Sequence, residues 1–444
     1  MVQIIQRLKE KLSELSQKSL FKRSSWMLLA QAITISVQVL YFVVLARGLG
    51  TSDYGAYVGV AALTAIFGPF ATWGSVSILV KYIARDRSLF AIYWGNALLI
   101  TTVFSLLISS LAALIVPIFL QERVTSLVVF LIFLADLAGL PIVHMSSAAF
   151  LALDMSFLTA LLRIALAVSK LIAVLLLVSV IPKINVTAWA GLYFLSTMLT
   201  ALLAVGLAVQ WLSWPSFSLK RLVAELQQGF FFSISNSADF VNSNVDKTML
   251  ASMSTLEATG LYGASYRFLD LSWYAISAVT DSAYSKFFQH GASGIRGGIN
   301  FARKLFPFLA MYGGFAGVGL VLFSPLAPVV LGQEFRESTE LLKWFAPLPF
   351  MIVTQKMLGD ILSGSNYQGL RSAVQTFAAG FNILLNLWLI PAFSWRGATW
   401  ATLASESTKL ILLLLVIACI VKKTAHQSQA GTASSSLPKD DLSP

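Results

Sequence analysis

The chain has 444 residues, 57% of them hydrophobic and 11% charged, with a mean hydropathy of +0.78. Those proportions exclude a water-soluble domain, and apolar runs of about 20 residues, the length a helix needs to cross the hydrocarbon layer, recur from end to end. The formal net charge of +11 does not mark a nucleic-acid binder, because the basic residues gather in alternate connections between the runs.

The first 23 residues place Ile5, Leu8, Leu12 and Leu15 on one helical face, with Lys9, Lys11 and Lys18 among the polar positions. This pattern predicts an amphipathic helix lying on the inner leaflet rather than a cleavable signal peptide. About twelve spans follow, near 24–47, 56–80, 89–117, 126–151, 156–181, 187–211, 228–251, 257–284, 304–331, 339–363, 372–393 and 396–421. With the N-terminus inside, about 19 of the Lys and Arg fall in inner segments and about 5 in outer ones, which puts both termini on the cytoplasmic side. Runs this long and continuous exclude a membrane barrel of short alternating strands. The expected class is therefore an all-α membrane protein.

Span 1 ends at Arg47, and GLGTSDYGAY after it is expected to form a short outer turn, with Gly48, Gly50 and Gly55 supplying conformational freedom. Tyr54-Gly55-Ala56 is echoed by Tyr262-Gly263-Ala264, and Pro182 by Pro391 at nearly the same offset. Two matches in register point to a repeat of six helices. An even number of spans per repeat gives both halves one orientation, so the pseudo-twofold axis should run along the membrane normal, with the substrate cavity between two six-helix bundles. The expected organisation is a first bundle at 24–211, a cytoplasmic amphipathic linker at 212–227, a second bundle at 228–421 and a polar, disordered tail at 422–444. Pro215 breaks the helix within the linker, and residues 286–305 are expected to form a similar inner-surface piece. Pro347 and Pro349 are the expected bend in span 10.

The span from Gln228 to Met253 carries Ser235, Asp239, Asn242 and Asp246 at helical spacing, so they share one polar stripe. A charge facing lipid at mid-depth costs roughly 2.5 kcal/mol or more, so the stripe must face a cavity or neighbouring helices. In span 5, Arg163 and Lys170 lie on one face about 10 Å apart along the axis, with no acid at pairing distance in their own helix. Two such cations facing a cavity suit an anion such as a phosphate or pyrophosphate; pairing across helices with Asp136, or snorkelling of Arg163, is the alternative. In the second half the charges come with local partners: Arg267 with Asp270, Lys356 with Asp360, and Glu406 with Lys409. Asp239 and Asp270, near mid-depth, are the candidates for a coupling proton or cation, with Asn236 and Asn242 as neutral ligands and Asp246 and Asp281 left over beside them.

No enzyme signature is present. GGFAGVG at 313–319 lies inside a span, where small residues permit close packing, and His144 lacks a partner at metal spacing. The single cysteine, Cys419, excludes an intrachain disulfide or thiolate metal site, and nothing asks for a cofactor beyond a coupling proton or sodium ion.

Three strings carry a family likeness: VVLARGLGTSDYGAYVGVAAL, NVDKTMLASMSTLEATGLYGASYRFLD and FNILLNLWLIPAFSWRGATWATLASE. With Arg47, Leu49, Gly50, Tyr54 and Gly55, the Asp246-Lys247 pair and Gly397-Ala398, the chain resembles the polysaccharide-exporter family of lipid-linked oligosaccharide flippases, within the MATE-like superfamily. The resemblance implies two bundles facing each other in a V, alternating access, and a cationic cavity for the diphosphate of a polyprenyl-linked glycan. It also implies dependence on a proton or sodium gradient, which would fall to the acids named above. Gln31 and Gln38 stand in span 1 where more basic cavities carry cations, which shifts the expected diphosphate site to Arg163 and Lys170, helped by Arg267 or Lys356. The expected partners are the lipid-linked oligosaccharide, membrane lipids and polysaccharide polymerase or assembly proteins. Two other functions fit the same residues less well: a MATE-type exporter of organic cations, which would want uncompensated acids in the cavity, and a non-transporting scaffold of a glycan-assembly complex.

Overall fold

A computed structural model describes residues 2–83 and 86–435. Side chains are described from Ala30 to Thr424 apart from positions in α8 and α9 that include Ser235, Asn236, Asp239, Asn242 and Asp281, which lie outside the described residues. The described chain is helical, without strands. Its helices are α1 (Val2–Thr72), α2 (Ser75–Ile83), α3 (Phe90–Phe119), α4 (Ser126–Leu134), α5 (Leu140–Ala152), α6 (Ser156–Val180) and α7 (Val186–Trp211). After residues 212–218 come α8 (Leu219–Met253), α9 (Leu256–Gly291), α10 (Ile295–Phe323), α11 (Ala327–Leu331), α12 (Ser338–Phe345), α13 (Leu348–Gly364) and α14 (Gln368–Ser435).

Among the described residues, seven stretches are long and apolar enough to cross a membrane: Ala30–Thr72, Arg87–Phe119, Ser126–Ala152, Ser156–Val180, Val186–Trp211, Ile295–Leu331 and Gln368–Thr424. With this much apolar helix, the chain is a multi-pass membrane protein. The first and last of the seven, 43 and 57 residues long, exceed what one crossing requires. Each contains a backbone break, at Gly50 (φ 70°, ψ −179°) in α1 and at Ser394 (φ 54°, ψ −133°) in α14. The helix α8 is 35 residues long, and its sequence, rich in serine, asparagine and aspartate, is far less apolar than those seven.

Connections are tighter than the sequence suggests. The expected outer turn around 48–57 reduces to the single residue Gly50, whose left-handed φ lets the helix stop and restart at once. Gly55 does something else: a Cβ there would sit 1.8 Å from the Leu256 carbonyl oxygen, so its hydrogen is what lets α1 touch the start of α9. The inner-surface piece expected at 286–305 is likewise helix on either side of a short turn with Gly294 at φ 90°. Expected span 10 divides between Phe345 and Leu348, with Pro347 in the gap and Pro349 in the first turn of α13. The Asn185 carboxamide caps α7 by accepting from the Ala188 N–H at 2.8 Å.

By internal packing the chain separates into two units. Unit 1 runs to Gly260 and includes Val330–Glu334; unit 2 comprises Leu261–Val329 and the chain from Phe335 onward. The core of unit 1 is built from Ile78, Leu79, Trp94, Met145, Phe150 and Leu162 with the small residues Ala201, Ala204 and Ala208, which let α7 approach closely. That of unit 2 is built from Phe287, Ile295, Leu309, Leu358, Ile361, Leu362 and Leu413.

Candidate functional site

In unit 1 the charged centre is Asp136. It stands on a π-helical turn, Ala135–Gly139, between α4 and α5, where the Leu140 N–H reaches back to the Ala135 carbonyl. Its Oδ2 accepts from Thr64 Oγ1 of α1 at 2.6 Å, and its Oδ1 accepts a short bond from the Tyr193 hydroxyl of α7. The Lys170 ammonium of α6 donates to the same Tyr193 oxygen at 3.2 Å and lies 4.8 Å from the centre of its ring. Lys170 and Asp136 are thus joined through a tyrosine, which is the cross-helix partnership that the spacing of span 5 left open. Tyr193 packs edge-on against Tyr57 with ring centres 5.7 Å apart and at a tilt against Trp189 at 5.4 Å, while Tyr41 Oη lies 3.4 Å from Tyr57 Oη. These rings fix the tyrosine that carries the charge relay. Arg163, two turns earlier on α6, is exposed and has no partner among the described residues.

Asp246 of α8 is buried, at 3% exposure, and its Oδ1 accepts from the Lys247 N–H at 2.8 Å. Asp239 and Asn242, expected to share a stripe with it, lie outside the described residues.

In unit 2 the charged centre is Asp360 on α13, 1% exposed. Lys356, one turn earlier, donates to both its oxygens, at 2.8 and 3.1 Å, and stands 4.9 Å from the Tyr284 ring centre. Arg371, from the first turn of α14, donates through Nη1 to Asp360 Oδ1 at 3.2 Å and to Ser363 Oγ at 2.7 Å. Ser363 Oγ in turn donates to Gln368 Oε1 in a short bond. Of the other local pairs, Glu406 and Lys409 meet at 2.9 Å, and Gln355 Nε2 donates to the Glu406 carbonyl at 2.8 Å. Arg267 is exposed and Asp270 half-buried, and the expected bridge between them does not occur among the described residues: spacing permits such a bridge, but side-chain direction and packing decide it. An uncharged track also crosses unit 2. Asn386 Nδ2 donates to Asn382 Oδ1 at 2.8 Å, and Asn382 Nδ2 to Ser405 Oγ at 3.1 Å.

Asp360 is bonded directly by two cations, one from its own helix and one from α14, whereas Asp136 is joined to the single cation Lys170 through Tyr193. The sequence reading passed over Arg371 and Tyr193. Arg371 sits in a connection and reads as a topology charge, and Tyr193, four residues after Trp189, reads as one more core aromatic.

A family model described as polysaccharide biosynthesis protein matches residues 20–284, more than half of the chain. The chain belongs to that family. The match takes in Asp136, Lys170 and Tyr193 of this polysaccharide biosynthesis family member and stops short of the Asp360 centre. No protein of curated function matches it in sequence. Among solved structures, the inward-facing conformation of a multidrug resistance MATE family transporter of the MOP superfamily is similar with a TM-score of 0.69 at 11% identity, over 88% of this chain and 99% of that one. The lipid II flippase MurJ in an inward closed conformation is similar with a TM-score of 0.70 at 12% identity, over 89% of this chain and 87% of that one. At these identities the likeness establishes the fold: the family member has the helical fold of MATE and MOP-superfamily transporters.

Proposed function

We propose that this polysaccharide biosynthesis family member flips a polyprenyl-diphosphate-linked oligosaccharide across the cytoplasmic membrane by alternating access between two six-helix bundles. The observation that carries the reading is the surplus of positive charge inside the helical body. Around Asp360 two cations share one carboxylate, and on α6 Lys170 reaches Asp136 through Tyr193 while Arg163, two turns earlier, has no acid partner among the described residues. Cations kept within an apolar body against a desolvation cost need a negative counterpart, and a diphosphate headgroup supplies one while its lipid tail stays in the bilayer. In this reading Arg163, Lys170, Arg267 and Lys356 neutralise the diphosphate. A proton or sodium ion at Asp239, Asp270, Asn242 or Asp246 biases the return of the empty carrier. An exporter of organic cations would need the opposite surplus. The chemistry is movement of a solute, without bond making or breaking.

The test is genetic and biochemical together. A strain lacking the protein should accumulate lipid-linked oligosaccharide facing the cytoplasm, and Arg163→Ala combined with Lys170→Ala should reproduce that accumulation. Full function of the double variant would remove the diphosphate site proposed here. Drug sensitivity without accumulation would replace the flippase with an exporter, and survival of function after neutralising Asp239 and Asp270 as well would leave a scaffold.

A further inference from the structure

The Asp360 centre holds more hydrogen-bonding capacity than it uses. A guanidinium has five N–H donors in a planar fork. Through Nη1, Arg371 engages Asp360 and Ser363; its Nε and Nη2 have no partner among the described residues. The side chain is 16% exposed and that of Lys356 23%, whereas the carboxylate between them is 2% exposed. The acid is therefore sealed in while both cations keep part of their surface exposed, and these three side chains together carry a formal charge of +1. The backbone is shaped for this arrangement: a Cβ on Gly359 would lie 2.9 Å from Arg371 Nε and 3.1 Å from its Cζ, so a hydrogen at that position is what lets the guanidinium lie across α13.

We infer that Arg371 and Lys356 form a seat for a phosphate oxyanion at the end of unit 2 where α13 gives way to α14, with Asp360 and Gly359 as the positioning residues that hold the fork open toward it. The free edge of Arg371 offers two parallel donors, the geometry that grips a phosphate through two oxygens, and Lys356 adds a point charge beside it. Asp360 acts as a resident counter-anion: it pins both cations from below without cancelling them. The assignment rests on the proposed flippase activity in one respect, that the phosphate would be part of the substrate's diphosphate. Phosphate groups of anionic membrane lipids share the same chemistry, so the test separates the two.

The full-length protein in neutral lauryl maltoside micelles would be titrated calorimetrically with inorganic pyrophosphate, its unfolding temperature being recorded in parallel. Arg371→Ala should weaken binding by about tenfold or more, the loss expected for a charge-assisted contact. Arg371→Lys should fall between the two, because it keeps the charge and loses the fork. Gly359→Ala, which leaves every charge in place and obstructs only the guanidinium, should weaken pyrophosphate binding with the unfolding temperature held. Should Arg371→Ala prove too unstable to titrate, Arg371→Lys and Gly359→Ala carry the test. Wild-type affinity in any folded variant that removes or displaces the guanidinium would overturn the seat, as would absence of pyrophosphate binding by the wild type. Repeating the titration in phosphatidylcholine nanodiscs with and without phosphatidylglycerol completes it: abolition of binding by the anionic lipid would reassign the seat to a lipid headgroup. A deletion strain free of lipid-linked oligosaccharide would remove the substrate and leave the titration standing, whereas a flat titration beside clear accumulation would remove the seat alone.

Discussion

Tyr193 does two opposite things with one oxygen, donating to Asp136 and accepting from Lys170, so its hydroxyl on α7 holds the acid of the Ala135–Gly139 turn and the cation of α6 in register. Hydrogen bonds to charged groups contribute about 1.5–3 kcal/mol each. Tyr193→Phe should therefore lower the unfolding temperature in detergent clearly, and more than Tyr41→Phe, whose hydroxyl lies 3.4 Å from that of Tyr57. At the other centre, Asp360→Ala leaves Lys356 and Arg371 facing each other without their shared acid. Breaking a buried pair from one side costs about 3–5 kcal/mol, and replacing all members by apolar residues of similar volume recovers much of that. Lys356→Met with Asp360→Leu and Arg371→Met should accordingly unfold at a higher temperature than Asp360→Ala alone while losing transport. The bonds Lys356–Asp360 and Glu406–Lys409 were legible in the sequence because each lies within one helix at pairing distance. Arg371 and Tyr193 were not, since each chooses its partner on another helix, and the 3.6-residue period carries no information about which helices meet.

Helices were easier to read than their interruptions. Apolar runs located nearly every long helix, but a sequence of glycines does not say which one bends the chain: Gly50 takes a left-handed φ, while Gly55 and Gly260 remain helical and serve contact. A Cβ at Gly260 would lie 2.0 Å from the Thr51 carbonyl oxygen, the reciprocal of Gly55 against Leu256. Backbone cannot move aside as a side chain can, so Gly55→Ala and Gly260→Ala should each cost more than the roughly 1–3 kcal/mol usual for overpacking, read as loss of folded protein on size exclusion. The break in α14 shows no such glycine, yet it falls in the gap expected between the spans 372–393 and 396–421, because Pro391 and the polar residues after it interrupt the apolar run. Ser394 sits at φ 54° and ψ −133°, a conformation that glycine adopts readily and a residue with a Cβ does not. Ser394→Gly should be neutral or stabilising by about 1 kcal/mol in thermal unfolding, and Ser394→Val clearly destabilising.

For the molecule as a whole, the distribution of Lys and Arg predicts that reporters fused after Arg23 and after Lys423 report the same, cytoplasmic side, and that one inserted at Asn185 reports the opposite side. Opposite sides for the two terminal fusions would mean an odd number of crossings and would end the picture of two equally oriented halves. Class and family were legible from the sequence because hydropathy and diffuse turn motifs are spread over the entire chain. The polar stripe of α8 was legible as a pattern, whereas what it faces depends on neighbours that no periodicity names.

The wide turn at Ala135–Gly139 has an evolutionary corollary. A π turn amounts to one supernumerary residue absorbed by a local widening of the helix, and excising a single codon there, Leu137 for instance, would let ordinary winding resume with the flanking helices near their present register while the residues of the turn itself swivel by up to about 100°. Asp136 would keep its place in the text and lose its company. Relatives that differ in length by one within this stretch are thus expected to have rebuilt the acid's surroundings rather than inherited them, so an alignment that slides a gap freely through 135–139 would equate residues with unrelated roles.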